Sequence, residues 1–143
     1  MAFKFENLEV WQLALEYSDK MYAIAAALPR SEDFNLKTQI VRAGTSVALN
    51  IAEGSIGQTD TEQTRFIGMA IRSLIETIAC QHLIRRRGYF SDTRRLDEAY
   101  GEGETLAMKL QAMRKRLDSA RSWAREDPVA YGKEGAEAGP DPL

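Results

Sequence analysis

The sequence has very little of the side-chain chemistry that metal sites and disulfides require. It contains one cysteine, Cys80, and one histidine, His82, in 143 residues. A single cysteine excludes an internal disulfide, and together with one histidine it leaves few ligands for zinc or haem. We therefore expect no cofactor, no metal and no small-molecule substrate. Cys80 is expected to be a small buried hydrophobe and His82 a surface or interface side chain.

The sequence also lacks long apolar runs and catalytic motifs. No apolar run approaches the roughly 20 residues that a membrane-spanning helix needs, and residues 1–6 contain neither a basic leader nor an apolar core. Phosphate-binding glycine loops and the GxSxG motif are missing, and no acid, base and nucleophile converge. The expectation is a soluble, cytoplasmic protein that is not an enzyme and has no membrane partner.

Apolar residues recur at spacings of three and four, which is typical of helices. Four helical segments are predicted, at about residues 7–28, 33–54, 60–87 and 91–125. Connections of roughly three to six residues favour antiparallel neighbours. The prediction is an all-α, up-down four-helix bundle over residues 1–125. Residues 126–143 are acidic and rich in Gly and Pro, which is typical of a poorly ordered tail.

Helix ends and buried faces follow from the same patterns. Asn7 is predicted to cap the first helix, Ser91 or Asp92 the fourth, and Gly88 to end the third. Gly101 and Gly103 predict a weak or bent region in the fourth helix. The predicted buried face of the first helix is Leu8, Trp11, Leu15, Ser18, Tyr22 and Ala25. The second helix has two apolar stripes, so it should be buried on two sides.

A polar sector lies on the otherwise apolar second helix. Arg42, Ser46, Asn50 and Glu53 share one side of it, with Arg42 and Glu53 about 16 Å apart along the axis. Each charge therefore needs a partner elsewhere, on the third helix (Arg65, Arg72 or Glu76) or on another subunit. One interpretation is a buried polar ladder that fixes helix register and assembly. The other is a contact to a ligand or to nucleic acid.

Charge is distributed unevenly along the chain. Residues 85–125 carry 11 basic and 6 acidic side chains, whereas residues 126–143 carry 1 basic and 5 acidic ones. Tyr89 and Phe90 lie within the basic region, an arrangement that could follow a phosphate backbone and stack a base. The alternative is that these cations only solvate helix faces. The candidate nucleic-acid-binding residues are Arg85, Arg86, Arg87, Arg94, Arg95, Arg114, Lys115 and Arg116.

Three segments carry a resemblance to a known family: residues 5–14, residues 66–76, and above all the segment Arg-Ala-x-x-Ser-Val-x-x-Asn-Ile-Ala-Glu-Gly at 42–54. Over roughly residues 3–120 the chain resembles the four-helix bundle proteins encoded in 23S rRNA intervening sequences. The resemblance implies a homopentameric ring and kinship with the accessory protein of diversity-generating retroelements, which binds nucleic acid and a reverse transcriptase. It brings no catalytic residues. The positions to which it gives a structural or assembly role are Trp11, Arg42, Asn50, Glu53 and Glu76.

Two functions are compatible with these observations. The first is a homo-oligomer that binds RNA or a nucleoprotein through the basic region. The second is a protein-interaction scaffold without nucleic-acid binding. The sequence does not decide between them.

Overall fold

Four α-helices account for most of the residues that the computed structural model describes, which are residues 3–56 and 59–126, with side chains up to residue 120. They are α1 (Glu9–Ala26), α2 (Leu36–Ser55), α3 (Asp60–Arg87) and α4 (Arg94–Glu126). Short 3-10 turns, Lys4–Asn7 and Arg30–Glu32, precede α1 and α2, and no strand occurs in the described residues. The all-α prediction is confirmed. The predicted tail lies outside the described residues from position 127 onward.

Each helix runs antiparallel to its neighbour in sequence. A hydrogen bond between Ser46 and Ser73 joins α2 to α3, and an ion pair between Glu9 and Lys109 joins α1 to α4. A second ion pair, between Lys20 and Glu102, shows that α1 and α4 run in opposite directions. Contacts are numerous between α1 and α2, α2 and α3, α3 and α4, and α4 and α1. The helices therefore form the predicted up-down four-helix arrangement, with α1 diagonal to α3.

The helix ends are set mainly by local hydrogen bonds. Thr59 Oγ1 accepts from the amide of Glu62 and caps α3, and Gly88 ends that helix with a φ of 69°. One predicted cap is wrong, and the cap predicted at Asp92 is found together with a later helix start. The Asn7 side chain caps nothing, because residues 4–7 form a 3-10 turn and α1 begins at Glu9. The fourth helix begins at Arg94, although Asp92 Oδ1 does accept from the Arg94 amide.

The second helix also begins later than expected, at Leu36 instead of about residue 33. The reason is Glu32, whose carboxylate accepts from the Leu36 amide and from the Asn35 side chain. Glu32 is buried in this role, with 7% of its surface exposed. The hydroxyl of Tyr89 donates to the same carboxylate. This hydrogen bond holds the pKa of Glu32 below its ordinary value of 4.5.

The predicted buried face of α1 is wrong. Leu15 and Tyr22 are exposed by 39% and 55%, and Leu8, Trp11 and Ser18 are only partly buried. Of that stripe only Ala25 lies in the core. The observed buried face is rotated about the helix axis by about a quarter turn or more from the predicted one. Tyr17 and Met21 therefore enter the core. The buried residues of α1 are Val10, Ala14, Tyr17, Met21, Ile24 and Ala25.

The two glycines of α4 behave differently from the prediction of a weak segment, since α4 is one helix from Arg94 to Glu126. Gly103 is buried where α4 crosses α1 and α3. A Cβ there would lie 3.1 Å from the hydroxyl of Tyr17 and 2.8 Å from Cδ1 of Ile78. Gly101 is exposed and a Cβ would meet nothing within 4 Å. Close helix packing therefore requires the glycine at 103 and not the one at 101.

Candidate functional site

The predicted basic residues form two separate groups. Arg85, Arg86, Arg87, Arg94 and Arg95 surround the connection between α3 and α4, and we call them the turn cluster. Arg114, Lys115 and Arg116 lie in the second half of α4, and we call them the α4 cluster. Arg95 and Arg114 are nineteen positions apart on one helix, which corresponds to roughly 29 Å. One chain therefore does not present a single continuous basic patch.

The turn cluster has mixed charge. Arg85 forms an ion pair with Asp97 at 2.9 Å, and Arg94 forms one with Asp92 at 2.7 Å. The Arg94 guanidinium holds the pKa of Asp92 below its ordinary value. Both pairs are exposed to solvent, where such contacts stabilise little. Two of the five arginines thus already have an acidic neighbour, so the positive potential is weaker than the sequence count suggests.

Three arginines of the turn cluster have no ion pair among the described residues: Arg86, Arg87 and Arg95. All three are exposed. Between the two halves of the cluster, Tyr89 and Phe90 are half-buried and pack against the hydrophobic core. The sequence predicted that these rings would stack on bases, but they instead anchor the connection to the bundle.

The α4 cluster lies against the other end of the bundle. Arg114 is half-buried beside α3, with its Nη1 atom 3.3 Å from the place where a Cβ on Gly68 would lie. Lys115 and Arg116 are exposed. Arg116 borders a shallow groove of about 300 Å³ whose wall includes Leu8, Lys109 and Met113. Only part of this cluster is therefore open to a partner.

The polar sector of α2 divides into a paired half and an exposed half. Asn50 is buried, and its side-chain amide donates to the carbonyl and the hydroxyl of Ser46 at 2.9 Å and 3.0 Å. Ser46 also bonds to Ser73 of α3 at 2.8 Å. These contacts fit the predicted polar ladder between α2 and α3.

The charged members of the sector are exposed instead of buried. Arg42, Glu53 and Glu76 form no ion pair with any described residue, and neither does Arg72. Arg65 lies over the ring of Phe66, 4.8 Å from its centroid. Of the two alternatives left open for Arg42 and Glu53, a partner on the third helix is therefore not found among the described residues, and a partner on another subunit stays a prediction.

Exposed apolar side chains accompany these charges. Leu49 of α2 is exposed by 54%, Ile56, the residue directly after α2, by 70%, and Met69 of α3 by 38%. Leu49 follows Arg42 by seven positions, and Ile56 follows Leu49 by seven, so they form one stripe along α2. The bond between Ser46 and Ser73 places the α3 residues beside that stripe. We call Arg42, Leu49, Glu53, Ile56, Met69 and Glu76 the α2/α3 face.

Trp11 packs between the core and the 3-10 turn that precedes α1. Its ring is partly buried against the core and meets the ring of Phe5 edge-on, with centroids 4.7 Å apart. The Gln12 side chain donates to the carbonyl of Glu6 beside it. These contacts hold the 3-10 turn Lys4–Asn7 against the start of α1.

A buried hydrogen-bond chain in the core was missed by the sequence reasoning. The hydroxyl of Tyr17 lies 2.6 Å from Thr77 Oγ1, and Gln81 Nε2 donates to Tyr17 at 2.8 Å. Burial raises the pKa of Tyr17 to about 12. The signal was available, because Tyr17, Thr77 and Gln81 occupy the core stripes of α1 and α3 at helical spacing. A search for apolar residues alone does not find them, because their side chains carry polar groups.

The one cysteine and the one histidine lie in different surroundings. Cys80 is buried, and desolvation raises the pKa of its thiol. His82 is exposed and meets the ring of Tyr100 edge-on at 5.9 Å. Within residues 3–56 and 59–126 there is no group of three or more His, Cys, Asp or Glu side chains placed to hold a metal. None of the helices in that part of the chain could cross a membrane.

The geometry defines an antiparallel four-helix bundle protein with an exposed apolar face. The chain belongs to the family described as 23S rRNA-intervening sequence protein, whose model matches residues 6–112. Its fold is similar to the 1.70 Å crystal structure of a protein of unknown function from the S23 ribosomal protein family of Bacteroides thetaiotaomicron. The TM-score is 0.69 at 21% identity, and the match covers 74% of this chain and 98% of that protein. No curated protein matches.

Proposed function

We propose that the protein is a non-catalytic, homo-oligomeric scaffold that assembles through the α2/α3 face. The observation that carries the proposal is this face itself, where exposed apolar side chains lie among charges that form no ion pair with any residue the structure describes. Burying a leucine or isoleucine side chain stabilises by about 1.5–3 kcal/mol, so Leu49 and Ile56 favour association. Arg42, Glu53 and Glu76 would then pair across the interface. The pentamer is the subunit number that the family resemblance implies.

A closed ring needs two different surfaces that meet head to tail. The α2/α3 face supplies one of them. The stripe on α1 that was expected in the core supplies the other, since Leu15 and Tyr22 lie seven positions apart and are both exposed. The apolar stripe on α1 would thus serve contacts between subunits and not the core of its own bundle.

The test of assembly is the molar mass of the full chain in solution, measured by light scattering after size exclusion. Five copies of the 16.0 kDa chain are expected. Leu49→Asp and Ile56→Asp should shift the mass toward the monomer while the helical circular dichroism stays intact. Met108→Asp is the matched control, because Met108 is exposed by 69% on α4. A monomeric parent, or equal masses for all variants, would refute the proposed face.

The second candidate is an RNA- or nucleoprotein-binding oligomer. The observation in its favour is that Arg86, Arg87 and Arg95 are exposed, lie at one end of the bundle and form no ion pair among the described residues, although Arg87 and Arg95 lie near enough to Glu32 and Asp92 to lower the pKa of those carboxyls. In a ring, this end repeats once per subunit, and repetition converts weak contacts into avidity. The paired arginines Arg85 and Arg94 weaken this candidate, so we place it after the scaffold.

Filter binding to a structured RNA at several salt concentrations tests this candidate. Each lost phosphate contact should lower the slope of log K against log salt by roughly 0.9. Changing Arg86, Arg87 and Arg95 together to Gln should remove binding, whereas the same change at Arg114, Lys115 and Arg116 should leave most of it. Absence of binding at low salt, with the oligomer intact, would leave the scaffold without a nucleic-acid role.

A further inference from the structure

The connection between α1 and α2 carries a phenylalanine that is almost fully exposed. Phe34 lies in the turn directly before α2, and 98% of its surface is open to solvent. It has no contact with another ring or with a cation among the described residues. The chain has four other phenylalanines, and each of them does contact a ring, a cation or the core. They are Phe3 and Phe5, whose rings stack at 6.3 Å, Phe66, which lies beneath Arg65, and Phe90, which packs against the core.

The backbone on both sides of Phe34 is fixed by hydrogen bonds. The amide of Asp33 donates to the carbonyl of Arg30 at 3.0 Å. The amide of Asn35 donates to the carbonyl of Glu32, also at 3.0 Å. An ordered turn therefore presents the ring, so a partner that binds the ring has little additional backbone to order.

The same turn is held against the connection between α3 and α4. The hydroxyl of Tyr89 donates to the carboxylate of Glu32, two residues before Phe34. Arg87 lies near enough to that carboxylate to lower its pKa. The exposed ring and the turn cluster therefore lie at the same end of the bundle.

Cations without an ion pair lie at this end. Arg30, four positions before the exposed phenylalanine, is itself exposed and forms no ion pair with a described residue. The same is true of Arg86 and Arg87. The acid beside the phenylalanine, Asp33, is already paired with Lys37 at 2.6 Å. This end of the bundle therefore offers a flat apolar ring together with unpaired positive charge.

A flat ring near cations is complementary to a base that is flanked by phosphates. Stacking on a base requires only one open face of an aromatic ring, whereas phosphates are bound by exposed arginines. A lipid surface holds a protein stably only through more apolar area than one ring offers. A double helix keeps its bases stacked on one another, so the base that the ring contacts has to be unpaired.

We propose that Phe34 stacks on an unpaired base of a single-stranded RNA while Arg86 and Arg87 contact the neighbouring phosphates. Arg30 supplies a further phosphate contact. This inference rests on the RNA-binding candidate described above and adds the side chain that contacts the base. The stacking role that the sequence suggested for the two rings of the α3/α4 connection thus passes to a ring that the structure leaves open.

The test is a fluorescence anisotropy titration of the full chain with a labelled decanucleotide of adenylate. Saturable binding is expected at low salt, and an abasic strand with the same number of phosphates should bind roughly tenfold more weakly. Phe34→Ala should lower the affinity for the adenylate strand by roughly tenfold and leave the affinity for the abasic strand unchanged. Phe34→Tyr should retain the affinity, because it keeps the ring. Phe3→Ala is the matched control, since Phe3 is exposed by 68% beyond the opposite end of α1.

The salt dependence separates stacking from charge. Phe34→Ala should leave the slope of log K against log salt unchanged, because no phosphate contact is lost. Arg86→Gln should instead reduce the magnitude of that slope by roughly 0.7, the value for one contact to a single strand. The urea midpoint of Phe34→Ala should equal that of the parent protein, since the ring is almost fully exposed.

The possible failures are distinguishable. If the adenylate strand binds and Phe34→Ala binds it as tightly as the parent does, the stacking role is wrong and the arginine contacts remain. Equal losses on the adenylate and abasic strands would also overturn the stacking role. No saturable binding of RNA at low salt would overturn both this inference and the RNA-binding candidate. Vesicles of phosphatidylserine and phosphatidylcholine complete the test: if Phe34→Ala loses vesicle binding but not RNA binding, the ring contacts lipid and the inference is wrong.

Discussion

Two glycines two positions apart in α4 provide a direct test of the packing described here. Replacing either glycine with alanine removes the same helix-propensity penalty, about 1 kcal/mol. At Gly101 the new Cβ meets open space, so Gly101→Ala should raise the free energy of unfolding by about that amount. At Gly103 the Cβ would lie 3.1 Å and 3.2 Å from Oη and Cε1 of Tyr17. Overpacking of this kind costs about 1–3 kcal/mol.

The propensity gain is common to both variants, so it cancels in their difference. Gly103→Ala should therefore be less stable than Gly101→Ala by about 1–3 kcal/mol. Ile78 can turn its terminal methyl away, but Tyr17 is held by hydrogen bonds to Thr77 and Gln81. Its ring therefore cannot easily yield. Relief by movement of Ile78 alone is not enough.

The measurement is urea unfolding followed by circular dichroism at 222 nm, at one fixed protein concentration because association also stabilises. Both variants should unfold with the slope of the parent protein. Equal stabilisation of the two variants would show that α4 does not approach Tyr17 as closely as described. If Gly103→Ala lowers the circular dichroism at 222 nm without changing the urea midpoint, this result would contradict the rigid packing around Tyr17.

Three further predictions follow from the buried tyrosines. Tyr17→Phe removes the oxygen acceptor of Gln81 Nε2, leaves it only the weakly accepting sulfur of Met21, and should lower the free energy of unfolding by about 1–3 kcal/mol. The exposed Tyr22→Phe should change it little; urea midpoints measure both. In the parent protein the pKa of Tyr17 rises from 10.0 to about 12, so its phenol loses its proton earlier in the unfolded chain. The free energy of unfolding should then fall by about 2 kcal/mol between pH 10 and pH 12, and a Tyr17→Phe protein should not show this loss. The pKa of Glu32 is lowered by the hydrogen bond from Tyr89, so this stabilisation is present above pH 4.5 and is lost as the pH falls; Tyr89→Phe should reduce the difference between midpoints at pH 7 and pH 3, and an unchanged difference would contradict the role of this bond.

The fold was predictable because its signals are local. Thr59 and Gly88 act within one turn of their own helix ends, and apolar spacing identifies the four helices. The face of α1 was not predictable in the same way. That helix has two candidate stripes, and the apolar one, which contains Leu15 and Tyr22, is the one left on the surface. The choice depends on the partners that Tyr17 finds in α3, sixty residues away in sequence.

The candidate sites were less predictable for a related reason. Counting arginines between positions 85 and 95 suggests a strong basic patch, but the acids at positions 92 and 97 fold back onto two of those arginines. Likewise Tyr89 and Phe90 read as exposed stacking rings, whereas one of them donates to the buried Glu32. Net charge per segment does not report which charges are already paired, because pairing depends on tertiary contacts.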